Sequence, residues 1–420
     1  MFERSTRRPL AELSDNLAAE LFSQKKYREA IWQTNITNSL IGKVSPVSLK
    51  NIAVCHSFLL EPAEAMVAFD RYMNLSKSRS KEDIRQMSQY LNNAGCIQDG
   101  YEYTLKNQHN CSEKWLDLGW YAYRNKDYTT AFEYMERGRE MGNIVWVGKE
   151  KYDNLPNCPR WQGELLENAR VLCVAEGGMG DEFIFSRWLP VLWHRDGHDC
   201  EFDYYTTNTL SNVITRNFPV AKYDKSKKYD YWFPMMSLPY LLNETKIDIH
   251  TSYITPSDKY VEKWKKILGN KQIAALSWKG SNTFAENHFR DIDVDYLVKK
   301  LDTRFTLVSV CKEADTCPGG VLDLTDQIEC WDDTLAILSL SEMVFCSCSS
   351  VAHAAGSLGV KTVVYTRPDD YFTWGGTESG KKTDWYTDVT VWRTNHIGKW
   401  QDVITASVDQ LQTQTKKGLS

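Results

Sequence analysis

Four short stretches of this 420-residue chain hold residue types that could do chemistry. The first is Gly177-Gly178-Met179-Gly180-Asp181, which follows the apolar run Arg170 to Ala175. Glycines after a strand let the backbone turn sharply into a helix and approach a ligand closely. The start of that helix favours an anion. Asp181 at this mouth is suited to take a proton from a hydroxyl, or to cap the helix, as Asp often does. The glycine spacing does not match the dinucleotide fingerprint G-x-G-x-x-G.

The second stretch is Cys346-Ser347-Cys348-Ser349-Ser350-Val351-Ala352-His353. It follows the apolar strand Met343 to Phe345 and opens a helix of small residues that runs to Gly359. Hydroxyls and backbone N–H groups at a helix start make a cradle for phosphate. His353, one turn in, either faces a diphosphate or fills a gap against the sheet. The Cys346 and Cys348 pair lacks the C-x-x-C spacing of a structural zinc site, which argues against a shared metal. The third stretch is Trp278-Lys279-Gly280-Ser281-Asn282, with Glu286, His288, Phe289 and Arg290 beyond it. Lys279 could sit near phosphate and Arg290 could clamp it bidentately; the other reading is a solvated loop. The fourth is Lys312-Glu313, after the strand Phe305 to Cys311, where a Rossmann half often holds a ribose or base.

Elements must position these residues, and the chain is long enough for two or three domains. Its first 150 residues read as helices with repeats. Trp115, Leu118 and Gly119, then Asp127, Tyr128, Ala131 and Phe132, have the pattern of a tetratricopeptide (TPR) repeat. Partial copies carry Leu17, Ala18, Tyr27 and Ala30, and then Ile52, Ala53, Glu64, Ala65 and Phe69, with a degraded copy around Gln89 to Asn107. One such hairpin cannot bury its apolar face, whereas stacked neighbours can. A Pro- and Gly-containing stretch near Asn154 to Gly163 predicts a linker. Beyond it strands alternate with helices, at Cys200 to Tyr205, Tyr229 to Phe233, Ile273 to Trp278, Lys361 to Thr366 and Val389 to Trp392. That alternation predicts parallel sheets. The expected organisation is a helical repeat domain over 1–150, a linker over 151–167, and two Rossmann-like domains over 168–258 and 259–420. The fold class is thus α/β, preceded by all-α hairpins.

The net charge of −5 argues against a dedicated nucleic-acid binder. A local basic stripe from Lys222, Lys225, Lys227 and Lys228 would be its one support, unless these lysines belong to a solvated loop. No apolar run reaches the length that spans a bilayer, and no secretory leader is legible after Met1. The eleven cysteines lack paired spacing, which predicts thiols in a reducing cytoplasm and no structural zinc. Asp369-Asp370, after Pro368, could imitate a metal-binding pair but reads as a turn.

In order along the chain, Pro159-Arg-Trp161-Gln-Gly163, Val174 through Asp181 to Pro190, Tyr231 to Pro239, Tyr253-Ile-Thr-Pro, Trp278-Lys-Gly-Ser, Phe289-Arg290, Leu307-Val-Ser-Val, Ser349 to Gly359 and Trp385-Tyr resemble the catalytic region of bacterial TPR-containing glycosyltransferases. These are similar to the ADP-heptose:lipopolysaccharide heptosyltransferases and, more distantly, to TPR-linked O-GlcNAc transferases. The resemblance covers about residues 159 to 412. It implies two facing Rossmann-like halves (GT-B) and transfer of a sugar from a nucleotide-sugar donor, with no further cofactor. By it, Asp181 is the general base. Arg290, Ser349, Ser350 and His353 hold the donor diphosphate, with Lys279 and Lys312 beside them. Gly178, Gly180 and Ser237 face the acceptor cleft. Two positions depart from the pattern. Cys348-Ser349 stands where the family commonly has Asp-Thr, so a hydroxyl is kept and a carboxylate is lost; Gly177-Gly178 replaces a pair such as Glu-Gln. The acceptor class stays open among glycan, protein and modified nucleobase. The other functional class is a TPR interaction protein whose paired Rossmann halves bind a ligand without turnover.

Overall fold

A computed structural model of the chain describes every residue except 1–3, 60, 77–79, 95, 143–148, 198, 248–251, 282–286, 302–304, 369–370, 397 and 418–420. It divides into two compact units, Met1–Asn110 and Cys111–Ser420.

The first unit consists of helical hairpins: α1 (Arg4–Ser23) with α2 (Tyr27–Ile41), α3 (Pro46–Phe58) with α4 (Pro62–Leu75), and α5 (Lys81–Asn93) with α6 (Ile97–Asn107). The repeat alanines explain the close pairing, since Ala30 and Ala65 are buried where second helices cross first ones. Local signals set the helix starts. Ser45 accepts from the Ser48 N–H, with Pro46 at the first helical position, and Ser80 and Asp83 cap each other's backbone in α5.

The second unit begins with a fourth hairpin, α7 (Ser112–Arg124) and α8 (Tyr128–Met141). A methyl group at Gly119 would come within 2.6 Å of Met135, so only glycine lets these helices approach so closely. This hairpin was expected to close the repeat domain. Instead Tyr123, Phe132 and Met135 share one core with the sheets that follow.

After α9 (Lys149–Asp153) the chain runs β1 (Arg170–Val174), α10 (Met179–Phe185), α11 (Leu189–Asp196), β2 (Glu201–Tyr205), α12 (Ser211–Asn217), β3 (Ala221–Lys222), β4 (Tyr231–Pro234) and α13 (Leu238–Leu241). These strands form a parallel sheet in the order β3-β2-β1-β4. The expected linker is packed rather than loose. The Trp161 N–H donates to the Trp232 carbonyl at 2.9 Å, and the Trp161 ring is fully buried.

The second half runs α14 (Asp258–Leu268), β5 (Ile273–Ser277), α15 (Val294–Lys300), β6 (Thr306–Ser309), β7 (Val321–Asp323), α16 (Trp331–Ser339), β8 (Met343–Ser347), α17 (Ser350–Ser357), β9 (Thr362–Thr366), β10 (Lys381–Lys382), β11 (Val389–Arg393) and α18 (Gln401–Lys417). Its sheet order is β10-β11-β9-β8-β5-β6-β7, parallel except for β10. Both sheets start in the middle and reverse direction once, between β1 and β4 and between β5 and β8. In such sheets ligands bind beyond the carboxyl ends of the strands at the reversal. The segments singled out from sequence sit at those ends: 177–181 after β1, 279–281 after β5, and 348–350 after β8. No helix among the described residues is long and apolar enough to cross a membrane.

Candidate active site

A cavity of about 770 Å³ opens at these strand ends, within the range of small-molecule sites. Its walls include Gly178, Gly180 and Asp181 from the first half, and Lys279, Arg290, Lys312, Ser349, Ser350 and His353 from the second. Nine of the ten expected site residues therefore meet around one space. Arg124, Lys279, Arg290, Lys312 and Arg367 line it against Asp181, Glu313 and Glu329. That balance suits an anionic ligand.

Asp181 is both a cap and a candidate base. Its Oδ2 accepts from the Gly178 N–H at 2.8 Å, and its Oδ1 accepts from the Tyr371 hydroxyl. An ionised carboxylate has about four lone-pair sites, so capacity remains for an incoming proton. Burial pushes its pKa up to about 6. The Tyr371 and Gly178 hydrogen bonds oppose that rise, and the nearby Glu176 and Glu182 charges add to it. A carboxylate in that range is well matched to proton abstraction near neutrality. Gly177 makes the turn possible: its φ is +66°, and a methyl group there would lie 2.4 Å from Asp181 Oδ2.

Across the cavity, Ser349 starts α17, and its buried Oγ has no hydrogen-bond partner among the described residues. With the first-turn N–H groups it forms a donor array toward the cavity. Arg290 is held in place from two sides. Its Nη1 donates to the Cys348 carbonyl and its Nη2 to Asn287 Oδ1, both at 3.0 Å. Gly280 leaves room for this guanidinium, because a methyl group there would approach Arg290 Nη2 to 2.7 Å. Lys279 lies 3.9 Å from both Asp291 and Asp315, and the Lys312 ammonium donates to the Ile328 carbonyl at 2.5 Å. Asn282 and Glu286 lie outside the described residues, as does the Asp369-Asp370 pair.

His353 is a wall of the site, held in the neutral state. Burial, reinforced by the Arg187 charge, lowers its pKa to about 3. Its Nδ1 meets the Tyr386 hydroxyl at 3.1 Å, and its ring stacks on Trp374 at 4.8 Å. A methyl group at Gly180 would approach the same imidazole to 3.0 Å. The departure at Cys348 is absorbed by the same tryptophan, whose Nε1 lies 3.1 Å from the thiol sulfur.

One expectation is corrected. Ser237 does not line the cavity. It is buried, and its hydroxyl accepts from Arg160 Nη2 at 3.0 Å. Around it lie buried ion pairs to α8: Arg139 pairs with Glu176 at 3.2 Å, and Arg160 pairs with Glu136. Of the two readings of the Lys222 to Lys228 stripe the solvated loop is the one seen, since none of these lysines lines the cavity. Lys227 pairs with Asp203 at 2.8 Å, and Lys222 and Lys225 donate to Asn212 and Asn154.

Tyr371, Trp374, Arg124 and Trp331 were not anticipated as site residues. No local motif marks them, since each reaches the site through tertiary packing. The one signal was the aromatic-and-glycine cluster Tyr371-Phe372-Thr373-Trp374-Gly375-Gly376, dense for a loop.

No protein-family model matches the chain. It is similar to protein FlbA of Caulobacter vibrioides, with 22% identity over 279 residues, or 58% of this chain and 46% of that protein. The chain thus spans about half the length of the curated relative it matches. Among solved structures it is similar to a glycosyl transferase family 9 protein from Veillonella parvula, at 12% identity and a TM-score of 0.42 over 61% of this chain and 99% of that one. It is also similar to the ADP-heptose lps heptosyltransferase II of E. coli, at 12% identity and a TM-score of 0.42 over 59% and 99%. The O-GlcNAc transferase of Thermobaculum terrenum, in mutant form, aligns over 99% of this chain and 92% of its own, at 10% identity and a TM-score of 0.33.

Proposed function

We propose that this protein is a glycosyltransferase that moves a sugar from a nucleotide-sugar donor to an acceptor hydroxyl. The observation that carries this reading is the pairing of Asp181 with the anion cradle across one cavity. A buried carboxylate with a raised pKa faces Arg290 and the start of α17. The acceptor oxygen attacks the anomeric carbon as the bond from that carbon to the diphosphate oxygen breaks. The acceptor proton passes to Asp181, and the nucleoside diphosphate leaves with the bonding electron pair. Attack from the face opposite the leaving group inverts the anomeric centre. Arg290, Lys279 and the N–H groups of α17 stabilise the charge that develops on the departing phosphate. Neutral His353 shapes the wall without adding charge. Eleven cysteines without a disulfide fit a reducing cytoplasm as the place of action.

The test is a thermal-shift panel of nucleoside diphosphates and nucleotide sugars on the wild type, Arg290→Ala, and Lys225→Ala as a remote control. A ligand at a hundredfold excess over its Kd raises apparent stability by about 2.7 kcal/mol. The expected result is a shift with one nucleotide that Arg290→Ala loses and Lys225→Ala keeps. If no nucleotide shifts the wild type, the transferase reading falls and a ligand-binding scaffold replaces it.

A further inference from the structure

The loop of residues 371–376 touches three site residues at once. Tyr371 donates to Asp181 Oδ1, Trp374 stacks on His353, and the Trp374 indole N–H meets Cys348. The loop is itself docked on the end of α7. Trp120 lies 5.5 Å from the Tyr371 ring and 4.8 Å from Phe372; Tyr123 lies 4.6 Å from Phe372. Gly376, at a φ of +66°, passes so near the Arg124 carbonyl that a methyl group there would lie 2.3 Å from it. Such packing leaves the Tyr371 hydroxyl little choice of direction.

We propose that Tyr371 is a positioning residue for the base: its hydroxyl holds one oxygen of Asp181 while the Gly178 N–H holds the other, so the carboxylate plane is fixed toward the cavity. This rests on the transferase reading for its meaning, but the geometry can be tested without it. Two fixed donors on opposite oxygens remove the rotation that a buried carboxylate would otherwise keep. Each donor also favours the ionised form. The other groups around this carboxylate are Glu176 beyond β1, Glu182 on α10, Tyr123 on α7 and neutral His353 on α17. Among these Glu176 and Glu182 oppose ionisation, so the Tyr371 hydroxyl works against a like-charge background.

The experiment compares wild type, Tyr371→Phe and Tyr386→Phe. Phenylalanine keeps the ring and its packing and deletes only the hydroxyl. In Tyr371→Phe the acid limb of kcat/KM against pH moves up by about one unit, with the donor KM unchanged and part of the loss in kcat persisting at high pH, where the carboxylate is ionised but no longer fixed in plane. Tyr386→Phe, which removes a hydroxyl from His353 instead, leaves the limb in place. A carboxyl titration of ¹³C-aspartate-labelled protein, assigned with Asp181→Asn, reads the same shift without turnover. An unmoved titration midpoint in Tyr371→Phe overturns the proposal. So does a limb that moves equally in both tyrosine variants. A wild type that turns over no nucleotide sugar overturns the transferase reading instead, and the carboxyl midpoint then decides the positioning role alone.

Discussion

Asp181 meets two opposed demands, and the conflict can be measured. Proton abstraction needs an ionised group, while burial favours the protonated one. With a pKa near 6 in the folded protein against an ordinary value of 3.8, the folded state binds more protons than the unfolded chain between those values. Stability present at low pH is therefore lost as pH rises through about 6. Asp181→Asn removes that cost. It should stabilise the protein above pH 6 by on the order of 3 kcal/mol, less whatever the amide gives up at its two donors, and by nothing below about pH 4. The same variant should lower kcat/KM by about 10²- to 10⁴-fold. Melting curves at pH 8 and pH 4, beside initial rates, check both parts. A variant with less activity and no gain at pH 8 would place the carboxylate in water. Asp181 was legible because it follows glycines at a strand end. Tyr371 was not, since 190 residues of sequence separate it from the group it touches.

At the scale of elements, the turn between β1 and α10 decides whether that carboxylate is presented at all. Gly177 adopts a left-handed conformation that other residues take at a cost of about 1 kcal/mol or more, and a side chain there collides with Asp181. Gly178 has an extended φ of −96°, and the nearest atom to an added methyl group is 3.8 Å away. Gly177→Ala should therefore cost at least tenfold in kcat/KM and lower Tm, while Gly178→Ala should be close to wild type in both. Equal effects from the two variants would mean that backbone approach, not the turn, makes both glycines necessary. The apolar runs made the central strands readable, because strands covered on both faces are continuous in hydrophobicity. The edge strands β3 and β10 are two residues long and exposed, so no periodicity could reveal them. The fourth hairpin was readable as a repeat, but the burial of Arg139 against Glu176 depends on a sheet 37 residues downstream.

At the scale of the whole molecule, the repeat pattern suggests a cut near residue 150, and the packing puts it between Asn110 and Cys111. The difference lies in what α7 and α8 leave behind when they are removed. Phe132 packs edge-on against Trp188 at 6.0 Å, and Tyr123 and Trp120 cover the loop that holds Asp181. Without α8, Glu176 keeps its place beneath β1 but loses Arg139; breaking one side of a buried ion pair costs about 3–5 kcal/mol. A domain's net stability is only about 5–15 kcal/mol, so that loss and the exposed aromatic core together exceed what the remainder can sustain. A chain beginning at Cys111 should therefore fold cooperatively and keep its nucleotide-induced thermal shift. A chain beginning at Lys149 should aggregate or melt without a transition. If the shorter chain folds and binds as well as the longer one, the hairpin is an appendage of the repeats, and the Tyr371 loop must find its position without α7.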